Sequence, residues 1–214
     1  SIDGTARANQ QKVLKAFHAC RVSARHFAGT TGYGFSDEGR YTLDRLFSRV
    51  FGCEDALVRA QFASGTHALS ACLFGLIRPG DMLLSGTGKP YDTLSKVIGY
   101  STPCAGSLKE AGVGYGEIPL QADGSMDITG ILDALTEDVR VVFLQRSRGY
   151  AWRPSFTVAC LKDATAAIKA KSPSVIVMVD NCYGEFVETV EPSQTGADII
   201  VGSLIKNAGG GLAP

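Results

Sequence analysis

Short apolar runs that alternate with longer amphipathic segments constrain the fold of this chain more than any other feature. The clearest run covers residues 175–180 and ends in the carboxylate of Asp180. A nearly continuous apolar run of this length is typical of a parallel strand that is buried on both faces. Strands that alternate with helices at this spacing predict an α/β fold, a three-layer sandwich with a mostly parallel central sheet.

The spacing of apolar residues also predicts where each element lies. We expect strands at residues 56–59, 82–84, 113–118, 139–144, 175–179 and 198–201. We expect helices at residues 9–27, 41–51, 64–77, 90–98, 128–135 and 156–171. The 214 residues are enough for one large domain with a hydrophobic core.

Charge and composition narrow the classes of partner. With 21 basic and 21 acidic residues, the formal net charge is zero, which gives no support for nucleic acid or a membrane surface as a partner. No apolar run approaches the roughly 20 residues that span a bilayer, and the first residues do not have the pattern of a secretion signal. The six cysteines form no C-x-x-C pair and have no histidine at metal-binding spacing. We therefore expect a reducing compartment, the cytoplasm or an organelle interior, and no metal.

Two opposite charges follow neighbouring strands of the sequence. Asp180 ends the apolar run, and Lys206 follows the strand predicted at 198–201 in a glycine-rich turn. Open α/β sheets place their chemistry at the carboxyl ends of their strands, so we expect both side chains to enter one pocket. Enzymes that use pyridoxal phosphate need this pair, a lysine for the Schiff base and a carboxylate for the pyridinium nitrogen.

A phosphate site is predicted where Ser64, Gly65 and Thr66 begin a helix, because backbone N–H groups at a helix N-terminus bind anions. An ordinary helix cap is the alternative, since serine and threonine are preferred at that position. Ser203, three residues before Lys206, could add a hydroxyl to the same phosphate. The commoner Walker, dinucleotide and hydrolase motifs are not complete anywhere in the sequence.

Arginines follow the strand predicted at 139–144. Arg146 and Arg148 would suit the two-pronged recognition of a carboxylate or phosphate. A solvent-exposed charged loop explains them equally well, and the sequence leaves both interpretations open. Four carboxylates are interpreted as ordinary solvent-exposed side chains rather than as a metal site: Asp37, Glu38, Glu185 and Glu188.

Taken together, these segments resemble fold-type-I pyridoxal-phosphate enzymes of the cystathionine lyase superfamily, in the branch of aluminium-resistance or methionine gamma-lyase-related proteins. The matching motifs, in the order of the family, are GYGFSDEGR at 32–40, ALVRAQ at 56–61, SGTHA at 64–68, RPGD at 78–81, PYDTL at 90–94, QRSRGY at 145–150, VDNCYGEF at 179–186 and GSLIKN at 202–207. They cover nearly the whole chain, so the resemblance is specific.

The resemblance implies a role for each matching residue. Lys206 would form the Schiff base with pyridoxal 5'-phosphate, Asp180 would hold the pyridinium nitrogen, and Tyr91 would stack on the ring. These three would be the catalytic residues. The partner would be a small-molecule amino-acid substrate, and the candidates for binding it are Arg146, Arg148 and Arg40.

The resemblance also implies how the phosphate of the cofactor is held. The residues of the phosphate cup would be Ser64, Gly65, Thr66 and Ser203. Tyr33 lies in the segment that crosses to the neighbouring subunit in this superfamily, and would reach the phosphate there, with Arg40 as a second candidate. One departure is Ile205, which replaces the threonine of the family's Ser-x-Thr-Lys motif and removes one phosphate-binding hydroxyl.

As a whole, the resemblance implies a carbon–sulfur lyase that acts on a sulfur-containing amino acid by β- or γ-elimination. It implies a homodimer or homotetramer with active sites at the subunit interface. Residues 1–50 would form a helical arm and subunit contact, and residues 51–214 the cofactor-binding large domain. The family's small C-terminal domain is absent, so we expect a part of a longer protein. The alternatives are an aminotransferase or decarboxylase on the same fold, or a catalytically incomplete domain with a structural role.

Overall fold

A five-stranded sheet forms the centre of the structure, a computed structural model that describes residues 1–30, 35, 37–101 and 103–208. Its strands are β1 (Met82–Ser85), β2 (Gly114–Glu117), β3 (Val139–Gln145), β4 (Ile176–Asp180) and β5 (Ile199–Val201). Their order across the sheet is β2-β1-β3-β4-β5, and each neighbouring pair is parallel. All five strands therefore end at the same edge of the sheet.

Six α-helices accompany the sheet in the described residues: α1 (Ile2–Ala19), α2 (Glu38–Phe51), α3 (Gly65–Leu76), α4 (Asp92–Ile98), α5 (Ile128–Asp133) and α6 (Val158–Lys171). Shorter helical turns lie at Ala24–Phe27, Pro192–Thr195 and Leu204–Ala208. Polar side chains define where several helices begin. Thr157, for example, accepts a hydrogen bond from the backbone N–H of Cys160 and so satisfies a donor at the start of α6.

Both faces of the sheet are buried, because successive residues of β3 enter two different hydrophobic clusters. Val141 and Phe143 pack with α3 and α4 on one face, while Val142 and Leu144 pack with α5 and α6 on the other. All four side chains are fully buried. The three-layer α/β sandwich with a parallel sheet, predicted from the sequence, is confirmed.

The two N-terminal helices pack against the chain that follows β4. Their own cluster contains Leu46, Val50 and Phe51 of α2, and it is joined by Phe186. Asn9 of α1 strengthens this contact, because its amide nitrogen donates to the backbone carbonyl of Phe186 at 2.9 Å. A division of the chain at residue 50, and a contact of the helical arm with another subunit, stay predictions.

The strand predicted at residues 56–59 is wrong. These residues form an irregular segment between α2 and α3, and they bond to α2 rather than to the sheet. The backbone N–H of Val58 donates to Asp44 Oδ1 at 3.0 Å, and Arg59 binds both oxygens of the same carboxylate at 2.6 and 2.8 Å. A charged side chain of α2 thus takes the backbone bond that a neighbouring strand would have supplied.

The helix predicted at residues 9–27 begins earlier and ends sooner, at Ile2 and Ala19. It ends because Arg21 has a left-handed φ of 51°, which no regular helix accommodates, and a short turn at Ala24–Phe27 follows. The other predicted helices and strands lie within three residues of the observed bounds. Among the described helices, none combines the length and the apolar character that a membrane span requires.

Candidate functional site

The carboxyl edge of the sheet opens into a cleft of about 1320 Å³, where open α/β sheets place their chemistry. Asp180 ends β4 there, in register with Gln145 of β3 and Val201 of β5. The predicted site residues that line this cleft are Ser64, Gly65, Thr66, Tyr91, Arg148, Asp180, Ser203 and Lys206. The fold thus brings together side chains from distant parts of the chain.

Asp180 is a buried carboxyl group of the cleft, with 1% of its surface exposed. Its Oδ1 accepts the backbone N–H of Cys182 at 3.0 Å. Burial raises the pKa of Asp180, and the hydrogen bonds from Cys182 and the charge of Lys206 oppose that rise. A cationic group bound to Asp180 would therefore keep it ionised.

Lys206 lies in the helical turn Leu204–Ala208 that follows β5. Its Nζ is 3.8 Å from the centre of the Tyr183 ring, a cation–π contact. Tyr183 has a left-handed φ of 66°, which is uncommon for a residue other than glycine. Burial acts to lower the pKa of Lys206, but its hydrogen bond to Tyr183 and the charges of Cys182, Tyr183 and Asp180 raise the pKa above its ordinary value.

Asp180 and Lys206 line the same cleft without forming an ion pair. In the part of the chain that the structure describes, neither side chain forms a salt bridge with any partner. Two opposite charges in contact would attract each other and form an ion pair. Both side chains therefore line the cleft without being paired to each other.

Gly65 begins α3 and lies against the residues that follow β4 and β5. A Cβ at Gly65 would lie 3.1 Å from Cys182 Sγ and 3.5 Å from Ser203 Cβ, so a larger residue would crowd this wall of the cleft. The hydroxyl of Ser64 is already used, because it accepts the N–H of His67 at 3.1 Å. Ser64 is therefore the helix cap, and the space beside Gly65 and Ser203 is where we propose that an anion binds.

Tyr91 is half-buried at the start of α4 and lines the cleft beside Thr66. Its hydroxyl is 2.7 Å from Thr66 Oγ1, and its backbone N–H donates to Gln145 Oε1 at 3.0 Å. Burial is the main reason that the pKa of Tyr91 is raised, and the nearby Asp180 adds to the rise against the hydrogen bond with Thr66. Tyr91 is consequently a neutral hydrogen-bond donor or acceptor at ordinary pH.

Arg146 lies beneath the cleft. Its interpretation as part of a solvent-exposed charged loop is therefore wrong. Its side chain is 4% exposed. The groups that accept its hydrogen bonds are Asn181 Oδ1 at 2.7 Å, Gly184 O at 2.8 Å, Glu188 Oε1 at 2.7 Å and Phe156 O at 3.3 Å. Since protein acceptors already use its donors, Arg146 is no longer proposed as a substrate-binding residue.

The remaining predicted residues have different positions. Arg148 lies at the rim of the cleft, with its guanidinium 5.1 Å from the ring centre of Trp152, a side chain that is 95% exposed. Arg40 belongs to α2, where its Nε is 3.8 Å from Asp37 Oδ2, and it lies outside the lining of the cleft. Tyr33, the predicted contact with a neighbouring subunit, lies outside the described residues.

Glu185 is a site residue that the sequence did not reveal. It is 2% exposed and lines the cleft, so its interpretation as a solvent-exposed carboxylate is wrong. Its Oε1 accepts the backbone N–H of Ser203 at 2.8 Å. A lone glutamate in a polar turn gives no sign of burial, because the amide that it bonds lies 18 residues later in the chain.

The residues of the cleft fit pyridoxal phosphate. A buried carboxylate suits the ring nitrogen, a lysine amine suits the aldehyde, and the opening beside Gly65 at a helix N-terminus suits the phosphate. In residues 1–30, 35, 37–101 and 103–208, no group of three or more His, Cys, Asp or Glu side chains could hold a metal ion.

Comparison with known proteins shows the family to which the chain belongs. The sequence matches the family described as methionine gamma-lyase over residues 1–214. The protein YnbB of Bacillus subtilis, which is uncharacterized, is 48% identical over 213 residues, 99% of this chain and 51% of its own length. L-methionine gamma-lyase of Pseudomonas putida is 28% identical over 202 residues, 94% of this chain and 46% of that enzyme.

A solved structure from Listeria monocytogenes is also similar. That protein is provisionally named a cystathionine beta-lyase involved in aluminium resistance. It matches with a TM-score of 0.96 and 53% identity, over 99% of this chain and 54% of its own. The chain thus spans about half the length of these relatives. Because the family matches from the first residue to the last, the chain belongs to the methionine gamma-lyase family.

Proposed function

We propose that the full-length protein is a pyridoxal-phosphate-dependent carbon–sulfur lyase that acts on a sulfur-containing amino acid. The observation that carries this proposal is the position of Asp180 and Lys206 in one cleft, unpaired with each other, beside the helix start at Gly65. The names of two relatives, a methionine gamma-lyase and a provisional cystathionine beta-lyase, belong to this class of reaction. The chain covers about half of those proteins, so the activity is proposed for the full-length protein.

Asp180 would hold a proton on the ring nitrogen of the cofactor. Pyridoxal phosphate, when bound, supplies an electron sink that stabilises negative charge at the Cα of an amino acid. That capacity depends on a protonated ring nitrogen, and the buried Asp180 carboxylate would keep this nitrogen protonated. The cationic nitrogen would in turn offset the burial that raises the pKa of Asp180.

Lys206 would attach the cofactor and, once displaced by the amine of the substrate, remove the proton from Cα. The neutral amine is the reactive form in both tasks. In the structure the net rise in the pKa of Lys206 keeps its amine as an ammonium above the Tyr183 ring. Deprotonation of Nζ therefore precedes its chemistry.

Tyr91 would pack against the ring of the cofactor and would donate a proton to the leaving sulfur. Its hydroxyl is held by Thr66, and the raised pKa keeps its proton in place until a stronger base approaches. When the bond between sulfur and Cβ or Cγ breaks, the sulfur takes up a proton and leaves as a thiol. Addition of water to the remaining fragment gives a 2-oxo acid and ammonia.

Replacement of Lys206 tests the attachment of the cofactor. Titration of the full-length protein with pyridoxal phosphate is expected to produce a visible absorbance band that survives dialysis. Lys206→Ala should abolish the band, because no other lysine contacts this part of the cleft among the described residues. Lys162→Ala is the matched control, since Lys162 is an exposed lysine on α6 and should leave the band unchanged.

Product analysis tests the reaction class. With cofactor bound, release of a thiol and a 2-oxo acid from sulfur amino acids would support the lyase. Transfer of the amino group to a keto acid without thiol release would instead indicate an aminotransferase. A visible band that persists in Lys206→Ala would overturn the role given to this lysine.

A further inference from the structure

Glu185 is the buried carboxylate that the proposed reaction does not use. It lies in the turn after β4, and 2% of its surface is exposed. Its Oε1 accepts the backbone N–H of Ser203 at 2.8 Å. Its Oε2 is buried and has no hydrogen-bond partner among the residues that the structure describes. A buried polar atom in this state requires an explanation.

The turn that carries Glu185 holds the lysine segment, residues 202–207, at both ends. At the near end, Gly202 packs so closely that a Cβ there would lie 2.8 Å from Glu185 Oε1. At the far end, Asn207 Nδ2 donates to the backbone carbonyls of Tyr183 at 2.9 Å and Glu185 at 3.1 Å. Lys206 lies between these two anchors, so its position depends on them.

The surroundings of Glu185 favour its neutral form. Burial is the main reason that its pKa is raised, and the carboxylates of Asp180 and Glu191 add to the rise against the hydrogen bond from Ser203. The thiol of Cys182 also faces this region, and burial and the neighbouring carboxylates raise its pKa as well. A proton on Oε2 would leave Oε1 free to accept the N–H of Ser203.

The cations that face this turn are engaged elsewhere. Arg146 donates to Glu188 Oε1 at 2.7 Å, and Lys206 Nζ lies over the ring of Tyr183. Within the described ranges, Glu185 has no ion pair with either of them. A carboxylate that is buried without a cation is much less stable as an anion than as an acid.

We propose that Glu185 is a positioning residue for Lys206, and that it holds the lysine segment as a neutral carboxylic acid. This inference rests on the proposed function, because the position of Lys206 matters for cofactor attachment. The two ideas can still fail separately, since the position of the segment and the proton on Glu185 can be measured without cofactor.

Hydrogen exchange in the full-length, cofactor-free protein tests the anchor. Glu185→Ala should speed exchange at the Ser203 amide by about tenfold or more, because a buried donor loses its acceptor. Glu185→Gln should keep the rate within about threefold of wild type, since the side-chain oxygen of glutamine can accept the same N–H. Glu137→Gln, at an exposed glutamate, is the matched control for the change of charge.

Thermal unfolding of the same proteins at several pH values tests the proton. A carboxyl whose pKa is raised in the folded state stabilises the fold fully below its unfolded pKa, and loses that effect as pH rises through the folded pKa. The midpoint temperature of Glu185→Gln should therefore gain on wild type as pH increases from about 4 upward. A wild type that gains on Glu185→Gln over this range would show an anion and overturn the proposal.

Cofactor affinity connects the anchor with Lys206. Glu185→Ala should weaken pyridoxal phosphate binding by about tenfold, and Glu185→Gln should restore it to within about threefold. Equal losses in both variants would mean that the negative charge of Glu185 is required. Wild-type affinity in Glu185→Ala would mean that the anchor is not required. Either result overturns the inference. If wild type itself binds no cofactor, the proposed function fails, while the exchange and unfolding results still decide the state of Glu185.

Discussion

Among single residues, Gly65 shows how the absence of a side chain can shape a site. Its Cα faces Cys182 Sγ and Ser203 across a gap that a methyl group would narrow to 3.1 and 3.5 Å. Glycine at the start of α3 also lets an anion approach the backbone N–H groups closely. A residue without a side chain thus determines the space available at this wall of the cleft.

Gly65→Ala is expected to lower the affinity for pyridoxal phosphate by about tenfold, because the new methyl group occupies space beside the proposed anion site. Gly75→Ala in the same helix is the control, since a Cβ there meets nothing within 4 Å. That control should keep the affinity and raise helix stability by up to about 1 kcal/mol. Isothermal titration of both full-length variants would decide, and equal affinities would contradict the assignment.

Some site residues could be predicted from the sequence and others could not. The difference is how far along the chain their bonding partners lie. The position of Asp180 and Lys206 at the cleft could be predicted because Asp180 ends one apolar run and Lys206 lies in the turn after the next, a pattern that is local in the sequence. Arg146 and Glu185 could not, because burial of each depends on acceptors or donors tens of residues away, such as Glu188 for Arg146. Most charged residues are exposed. A charged residue is buried where the fold brings a bonding partner close to it.

Between secondary-structure elements, a buried polar network joins the end of β3 to the end of β4. Arg146 Nη1 donates to Asn181 Oδ1 at 2.7 Å, and Asn181 Nδ2 donates to Glu191 Oε2 at 3.0 Å. Glu191 Oε1 then accepts the backbone N–H of Phe186 at 2.9 Å. Asp180 precedes Asn181, so this network fixes the strand end on which the proposed cofactor contact depends.

Arg146→Met is expected to lower the free energy of unfolding by about 3–5 kcal/mol, because it leaves the buried Glu191 without its cationic partner. Urea unfolding of the full-length protein, followed by circular dichroism, measures this loss. Arg140→Met is the matched control, since Arg140 is an exposed residue of β3, the strand that Arg146 follows, and its replacement should cost less than about 0.5 kcal/mol. A similar, small loss in both variants would show that the network is not a stabilising one.

Strands could be predicted where the spacing of apolar residues reflects how the strand packs. The prediction failed where a side chain accepted the hydrogen bond of a backbone N–H group. The apolar runs of β3 and β4 are buried on both faces, which is why their pattern is unambiguous. Residues 56–59 have an equally apolar start, but Asp44 binds Val58 and Arg59 and holds the segment against α2. A short apolar run does not by itself show whether a strand or a side chain will satisfy its backbone.

In the molecule as a whole, the N-terminal helices are tied to the segment that builds the site. Asn9 Nδ2 donates to the carbonyls of Phe186 at 2.9 Å and Glu188 at 3.0 Å, immediately after the turn that contains Glu185. Phe186 also packs against Phe51 of α2, with ring centres 5.4 Å apart. The first helix therefore supports the chain that follows β4.

Asn9→Ala is expected to lower the free energy of unfolding by about 1–3 kcal/mol, because two backbone carbonyls lose a buried donor. Chemical unfolding of the full-length protein measures the loss. Gln10→Ala provides the control, because Gln10 is the next residue of the same helix and is exposed. The link between helix and site would be refuted by an Asn9→Ala protein as stable as this control.

The order of the strands has a consequence for the kinetics of folding. β1 pairs with β3, although β2 and two helices lie between them in the sequence, and every pair in the sheet is parallel. Such pairings require long loops to close, and the chain loses conformational entropy before the new contacts compensate for it. We therefore expect slower folding than in a helical protein of this size. Asp180 and Lys206 come together only once β4 and β5 have joined. In a refolding experiment, the capacity to bind pyridoxal phosphate should therefore appear after the recovery of helical circular dichroism, as a late reporter of the completed sheet.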